Sequence, residues 1–438
     1  MPSPRAKNIV FIVHYFPPIN STGGKRVEAL SKYFARAGRS VTVITTAKTA
    51  ADGAFTESAP HGVTVLEMDR LGRLASSVAP VGESGVEGSG TTSPARRLKT
   101  LVQAWCGQLP DPRLPFALAF GSPLLACPIA EALRKADVVI SSMPPWPTHL
   151  AALLVRRRFK RRVVMDYRDN FSDNHIMPGS PVAKYLEQKV DRWLASRATG
   201  VVVISEPMAE YYRQFSRRVK VVLNGYDGEI INEVRSQLAD SAASPGPAIT
   251  VRYLGRISKD RIPRNLLSAL AERVHNQGVS PGDIRFEMYG DAEQLRSYLA
   301  ERHPSLMQFF AFCPSVSYRS ALRLMMTADY LLFAETSDQS SLSARGVLTT
   351  KLFEYIACGR PILAEIGEDT EAGRLIRRAG AGHVVGQSPE SFGRFLEGSM
   401  KKFARSEGDP AFARTLSRES QAEDYLVFLD HEVCAEAA

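Results

Sequence analysis

One rhythm constrains this chain more than any other feature. Short apolar runs of strand length alternate with longer amphipathic segments, and the pattern runs through the chain twice. In the first half "NIVFIVHYF", "VTVITT", "VTVLEM", "ADVVISS", "RVVMDYR", "GVVVIS" and "VKVVLNGYD" read as strands. In the second half "ITVRYLG", "IRFEMYG", "FFAFCPS", "ADYLLFAE", "RPILAEI" and "GAGHVVG" do the same. Near-continuous Val- and Ile-rich runs suit strands covered on both faces, and helical crossovers between them suit a parallel sheet. The segment "GKRVEALSKYFARAG", stopped at Gly38, is one such crossover. The fold class that follows is α/β, with two doubly wound parallel-sheet domains facing a cleft, and ligands bound outside the carboxyl ends of the strands.

At 438 residues the chain is too long for a single core. Residues 1–228 are expected to form the first domain and 249–410 the second. The stretch "EIINEVRSQLADSAASPGPA" drifts into small residues and Pro, so 229–248 reads as a linker. Residues 411–438 read as a terminal helix returning to the first domain. The Gly- and Ser-rich part of Asp52 to Arg97, "GESGVEGSGTTS" above all, reads as a flexible surface insertion. The apolar run Leu114 to Ala130 is broken by Pro115, Pro123 and Pro128 and cannot span a bilayer. The first residues lack a small-residue cleavage site and read as a strand, not a signal peptide. Five scattered cysteines suit a reducing, cytoplasmic setting and no metal knuckle.

The net charge is +9, with a dense run at Arg156, Arg157, Arg158, Lys160, Arg161 and Arg162. Such a run suits anionic lipid or a phosphorylated small molecule, or is simply a solvated helix end. No recognisable nucleic-acid-binding motif is present, so no nucleic-acid partner is expected. Contact with an anionic membrane surface stays open.

Several stretches carry candidate chemistry. In "KLFEYIACGRPIL" Lys351 and Glu354 lie one helical turn apart in an otherwise apolar segment. The preceding "SSLSARGVLTT" is a hydroxyl-rich loop entering that helix near Leu348 to Lys351, where free amides and the helix dipole favour a diphosphate. Glu354 shares a face with Lys351 and Thr350, and a carboxylate there can accept two hydrogen bonds from a vicinal diol. The alternative is a local Lys351–Glu354 surface pair. In "GRISKDR" Gly255 ends a strand, and Arg256, Lys259 and Arg261 follow on a loop able to stabilise a departing diphosphate, or merely solvated. In "STGGKR" Gly23 and Gly24 allow close backbone approach, with Arg26 either a phosphate contact or a helix-surface arginine. In "MDYRDNF" Arg168 and Asp169 stand at a strand's carboxyl end, suited to hold a phosphate and to orient or deprotonate an acceptor hydroxyl, or else to pair structurally with Asp166. His149, in "PPWPTHL", is a spare candidate, and His14 is viewed with the same caution. No metal cluster is expected.

In order and spacing, "YFPPINSTGGKR", "SSMPPWPTHL", "VVMDYRDNF", "VISEPMAEYY", "VLNGYD", "YLGRISKDRIPRNLLSAL" and "GVLTTKLFEYIACGRPIL" resemble the two-Rossmann-domain GT-B glycosyltransferases. Within them the chain resembles the large retaining family 4-like group and its bacterial surface-polysaccharide branch. The resemblance implies donor binding by Glu354, Lys351, Leu352, Thr350, Gly346, Lys259 and Gly255, with Glu354 holding the ribose. It implies catalytic roles for Arg256, Arg261, Asp169 and Arg168, with Arg256 and Arg261 as the cationic pair. It places Gly23, Gly24, Arg26 and His149 on the acceptor or phosphate loop. Gly346 stands where many relatives carry a glutamate that contacts the donor sugar. The segment from Leu109, "LPDPRLPFALAFGSPLLACPIA", looks like the acceptor-side flap of this branch, or is a buried loop core. The implied partners are a nucleotide-sugar donor and a glycan or lipid-linked acceptor, with no metal or other cofactor. A nucleotide-sugar 2-epimerase and a non-catalytic nucleotide-binding scaffold are the competing expectations.

Overall fold

The computed structural model describes residues 5–49, 52–78, 105–172, 174, 177–239, 248–276, 278–335, 342–367, 369–384, 388–398 and 409–435. The Gly- and Ser-rich stretch "GESGVEGSGTTS" lies outside them. The chain divides into two compact units, Met1–Leu223 with Gln421–Ala438, and Asn224–Ser420.

The first unit is built on β1 (Asn8–Val13), β2 (Ser40–Thr46), β3 (Val63–Met68), β4 (Val138–Met143), β5 (Arg162–Tyr167), β6 (Gly200–Val203) and β7 (Val219–Val221). They form one parallel sheet in the order β3-β2-β1-β4-β5-β6-β7. Every residue of β4 and β6 is buried, which is why their sequences show no polar alternation. The order reverses between β1 and β4, where Ile9 lies opposite both Val41 and Val138. From Gln421 onward the chain belongs to this unit. Tyr425 meets Phe34 edge-on at 5.7 Å, and Asp430 accepts from the Ala6 amide at 2.8 Å while pairing with Arg39 at 2.7 Å.

The second unit is built on β8 (Ile249–Leu254), β9 (Ile284–Tyr289), β10 (Phe310–Cys313), β11 (Tyr330–Ala334), β12 (Ile362–Glu365) and β13 (Gly382–Val384). This parallel sheet runs β10-β9-β8-β11-β12-β13, with its reversal between β8 and β11. Such a reversal splays the connections on either side and opens a crevice at the strands' carboxyl ends.

Two expected boundaries move. Residues 229–239, expected as linker, lie in the helix Gly228–Ala239, with Ile231 and Val234 buried and Arg235 donating to the Ala357 carbonyl at 2.6 Å. The small residues and Pro that follow Ala239 obscured this short amphipathic stretch. Residues 411–420, expected to pack on the first domain, stay with the second unit. Asp409 caps the Pro410–Thr415 helix there, and Tyr226 donates its amide to Leu416 and accepts from Arg418. Among the described residues no helix is long and apolar enough to cross a membrane.

Candidate functional site

At the reversal point of the second unit, Gly255 directly follows β8 and Glu335 directly follows β11. Gly255 has φ +120°, and a Cβ placed on it would meet the Lys351 Cε at 3.6 Å. The positive φ is what calls for glycine here, since the added Cβ would make only an ordinary contact with the lysine stem. The Lys351 ammonium donates to the Tyr253 hydroxyl at 2.6 Å and lies 3.9 Å from that ring's centroid. Burial lowers its pKa to about 8, with Glu335 and Glu354 pulling it back up and Arg261 adding to the fall.

Glu335 is buried, and its carboxylate takes the Arg261 guanidinium at 2.7 Å and the Thr349 hydroxyl at 3.2 Å. Thr349 is the N-cap of the Thr350–Cys358 helix, yet its side chain makes no capping bond. The hydroxyl that would satisfy the helix amides is spent on Glu335, so the helix start has no side-chain cap, although the Leu352 amide donates to the Thr349 carbonyl at 3.2 Å. Burial pushes the Glu335 carboxyl up, while Arg261 and Lys351 pull it down.

Glu354, one turn further in, does not pair with Lys351 as a surface ion pair would. It accepts from the Tyr318 hydroxyl, with Arg418 as a further positive neighbour, and burial is the largest influence and raises its pKa. Leu352 is buried, Thr350 is half-buried, and Gly346 is buried just past a short helix, its amide donating to the Leu342 carbonyl.

The expected Arg256–Arg261 pair is not assembled. Arg256 points into solvent beside Asp291 at 3.3 Å, and Lys259 is exposed on a turn of 3-10 helix. Ile257 is buried, while its neighbour Arg256 is turned outward. The cation that joins Arg261 around Glu335 is Lys351.

In the first unit Arg26 is fully engaged and buried. It donates to Asp166 from Nε and from Nη2, the latter at 2.8 Å, and from Nη1 to the Leu223 carbonyl at 2.9 Å. It forms a structural ion pair rather than an open phosphate contact, because Asp166, fully buried near the end of β5, needs a countercharge. Arg168 reaches the carbonyls of Met143 at 3.2 Å and Pro144 at 2.8 Å, and that of Gly23. It thus ties the glycine turn to the end of β4. A Cβ on Gly23 would lie 3.0 Å from the Tyr15 ring and 3.2 Å from Arg168, and one on Gly24 would lie 3.4 Å from the Ser21 carbonyl. Asp169 stays open to solvent within a recess whose crowding raises its carboxyl, Arg168 pulling the other way.

His149 is a core residue and not part of a loop site. It is buried, bonds Ser141 at 2.8 Å, packs against Tyr167 at 4.4 Å, and burial lowers its pKa to about 3. His14 is likewise buried on Thr46 at 2.7 Å and lowered to about 3, chiefly by burial, then by Arg113 and Lys48. Lys48, which sequence reasoning passed over, is buried at the end of β2 between Thr45 at 2.9 Å and Thr46 at 2.8 Å. The basic run closes the Pro147–Phe159 helix: Arg156 donates to Thr199 at 2.6 Å, and Arg158 to the Phe120 carbonyl at 3.3 Å and to that of Ser122. The proline-broken segment beneath buries Phe116 and Phe120 while leaving Leu118 and Leu124 exposed.

Glu335, Tyr253 and Tyr318 were missed by sequence reasoning. Glu335 had a signal, an acid directly after the apolar run "YLLFA" at a strand's carboxyl end. The two tyrosines had none. A cavity of about 520 Å³ in this unit, lined by Tyr226, Arg235, Arg360 and Arg414, opens at the opposite end of the Thr350–Cys358 helix. It is separate from the Lys351 cluster.

Residues 21–226 match the model of the glycosyl transferase 4-like domain. No curated protein matches the chain in sequence. Among solved structures, sucrose-phosphate synthase from Thermosynechococcus elongatus is 17% identical with a TM-score of 0.56, covering 97% of this chain and 95% of its own. The Anabaena protein HepE, solved with UDP and glucose, is 13% identical with a TM-score of 0.52, covering 98% and 96%. A UDP-forming trehalose-phosphate synthase from Burkholderia xenovorans is 11% identical with a TM-score of 0.61, covering 97% and 99%. At these identities the likeness establishes the fold, which is the two-domain GT-B architecture.

Proposed function

From a chain that carries a glycosyl transferase 4-like domain on a GT-B frame, and so is a glycosyltransferase, we propose a particular transfer. A glycosyl group passes from a nucleoside-diphosphate sugar to an acceptor hydroxyl, with retention at the anomeric carbon. The acceptor is a glycan, carried on a lipid diphosphate and growing toward a surface polysaccharide. The observation that carries the donor half is the gathering of Lys351, Arg261 and Glu335 beside the uncapped start of the Thr350–Cys358 helix. The solved complex of the Anabaena protein with UDP and glucose supports a nucleoside-diphosphate donor.

In this reading the diphosphate sits on the helix amides, and Lys351 and Arg261 carry its charge. Arg261 exchanges part of its hold on Glu335 for the phosphate oxygens. Glu354 leaves Tyr318 for the ribose diol. The bond between anomeric carbon and diphosphate oxygen breaks, the acceptor oxygen attacks from the same face, and its proton passes to the departing diphosphate. Asp169, open to solvent in the first unit, orients the acceptor hydroxyl, and Arg168 holds the glycine turn rather than touching substrate. Two fixed cations supply the charge a metal would otherwise supply, so we expect EDTA to leave turnover unchanged.

The test incubates the protein with a panel of nucleotide-sugars and a lipid-diphosphate-linked saccharide, and follows product configuration by NMR. A new glycosidic bond with the donor's anomeric configuration is expected. An inverted product removes the retaining mechanism. An epimerised nucleotide-sugar formed without acceptor points instead to an isomerase.

A further inference from the structure

The helix Pro181–Ala195 of the first unit is built inside out. Its buried face holds two acids, Glu187 and Asp191, beside Ala183 and Leu194. Glu187 accepts from the Gln108 amide at 2.5 Å and pairs with Lys184 at 3.1 Å, and Asp191 accepts from the Ser172 hydroxyl at 2.7 Å. The face turned to water carries large apolar side chains among Gln188, Lys189 and Arg192. Val182, Tyr185, Leu186 and Trp193 are 69%, 56%, 46% and 43% exposed, at spacings that place them along one side of a helix. Trp105, 73% exposed, extends the patch, since its carbonyl accepts from Ser180 at the helix start at 2.7 Å.

An ordinary surface helix shows the reverse pattern, and a contiguous exposed patch of this kind marks an interaction site. Its charge says with what. The exposed side of the helix carries Lys189 and Arg192, Arg197 follows it, and both its acids are turned inward. Lys189 lies 5.1 Å from the Tyr185 ring and Arg197 5.0 Å from the Trp193 ring. Aromatic rings with cations over them, and aliphatic side chains between, are the composition of a helix lying in the headgroup region of an anionic bilayer.

We propose that the outer face of the Pro181–Ala195 helix docks the protein on the surface of an anionic phospholipid bilayer. Val182, Leu186 and Trp193 enter the acyl boundary, and Lys189 and Arg197 meet lipid phosphates. The lipid-linked acceptor proposed above would give this docking a use, but the docking itself needs neither donor nor acceptor.

The experiment is co-sedimentation of the full chain with sucrose-loaded vesicles, without any nucleotide-sugar or acceptor. Vesicles of phosphatidylglycerol and phosphatidylethanolamine are compared with pure phosphatidylcholine. Wild type should bind the anionic vesicles at least tenfold more strongly, and lose that preference at high salt. The triple variant Val182→Ser, Leu186→Ser, Trp193→Ser and the double variant Lys189→Glu, Arg197→Glu should each lose at least tenfold in binding. Both should keep the wild-type melting temperature and nucleoside-diphosphate affinity. Quenching of tryptophan fluorescence by brominated lipid should be weakened in Trp193→Phe. The proposal is overturned if wild type shows no preference for anionic vesicles, or if the triple variant binds like wild type. It is also overturned if sedimentation equilibrium shows a dimer that the triple variant abolishes while vesicle binding stays unchanged, which would assign the face to a second copy. Failure of transfer with intact vesicle binding would count against the acceptor reading alone.

Discussion

Burial holds the Lys351 ammonium at a pKa of about 8, so the residue crosses from charged to neutral within the range where enzymes are assayed. The free protein should bind a nucleoside diphosphate best below that value, where Lys351 is protonated, and progressively more weakly above it. Calorimetric affinities from pH 6.5 to 9.5 check this, and in Lys351→Ala the decline centred on that pKa should be absent. The same substitution removes a charge-assisted contact of about 1.5–3 kcal/mol, a loss of roughly ten- to a hundredfold in affinity. Arg26 makes the opposite case. Its pair with Asp166 is buried and bidentate, and Arg26→Ala leaves an uncompensated carboxylate worth about 3–5 kcal/mol of stability. Urea denaturation should show that loss, whereas nucleoside-diphosphate affinity measured on the folded fraction should not change. Sequence marked both residues but could not rank them. A lysine and an arginine on helical faces look alike until the fold shows whether a buried acid already holds the charge.

The strands were the legible elements, since runs such as "ADVVISS" and "ADYLLFAE" have only one way to satisfy both an apolar sequence and a backbone full of polar groups. Helices were less so. Gly228–Ala239 was hidden by the small residues after it, and Pro181–Ala195 carries its acids inward, against the usual pattern. Loops were the least legible, because no spacing rule reveals that Ile257 is buried and its neighbour Arg256 turned outward. The inverted helix has a measurable consequence. Burial raises the pKa of Asp191 to about 6, against bonds from Ser172, Tyr167 and Tyr212 that lower it. A folded-state value above the unfolded one means stability that is full in acid and is lost as pH rises through about 6. Between pH 4.5 and 7 wild type should therefore lose about 2 kcal/mol relative to Asp191→Asn. Parallel urea titrations of the two proteins at those pH values measure the difference.

At the scale of the whole molecule, the sequence order of two strand series was enough to indicate two parallel sheets, and each sheet reverses its order once. What the sequence did not supply is which of many polar groups near those reversals form a set. In the second unit the set is Tyr253, Arg261, Glu335, Thr349 and Lys351, gathered from a strand, two segments following strands and a helix start. The claim that this set grips a diphosphate is tested most directly by isothermal titration of UDP, GDP and dTDP into wild type, Lys351→Ala and Arg261→Ala. The account predicts that at least one of the three nucleotides binds wild type, and that each substitution weakens it at least tenfold in protein that circular dichroism shows to be folded. Arg261→Ala should also lose stability, because it leaves the buried Glu335 without its ion-pair partner. Binding that survives both substitutions unchanged, or the failure of all three nucleotides to bind the folded wild-type protein, would contradict it.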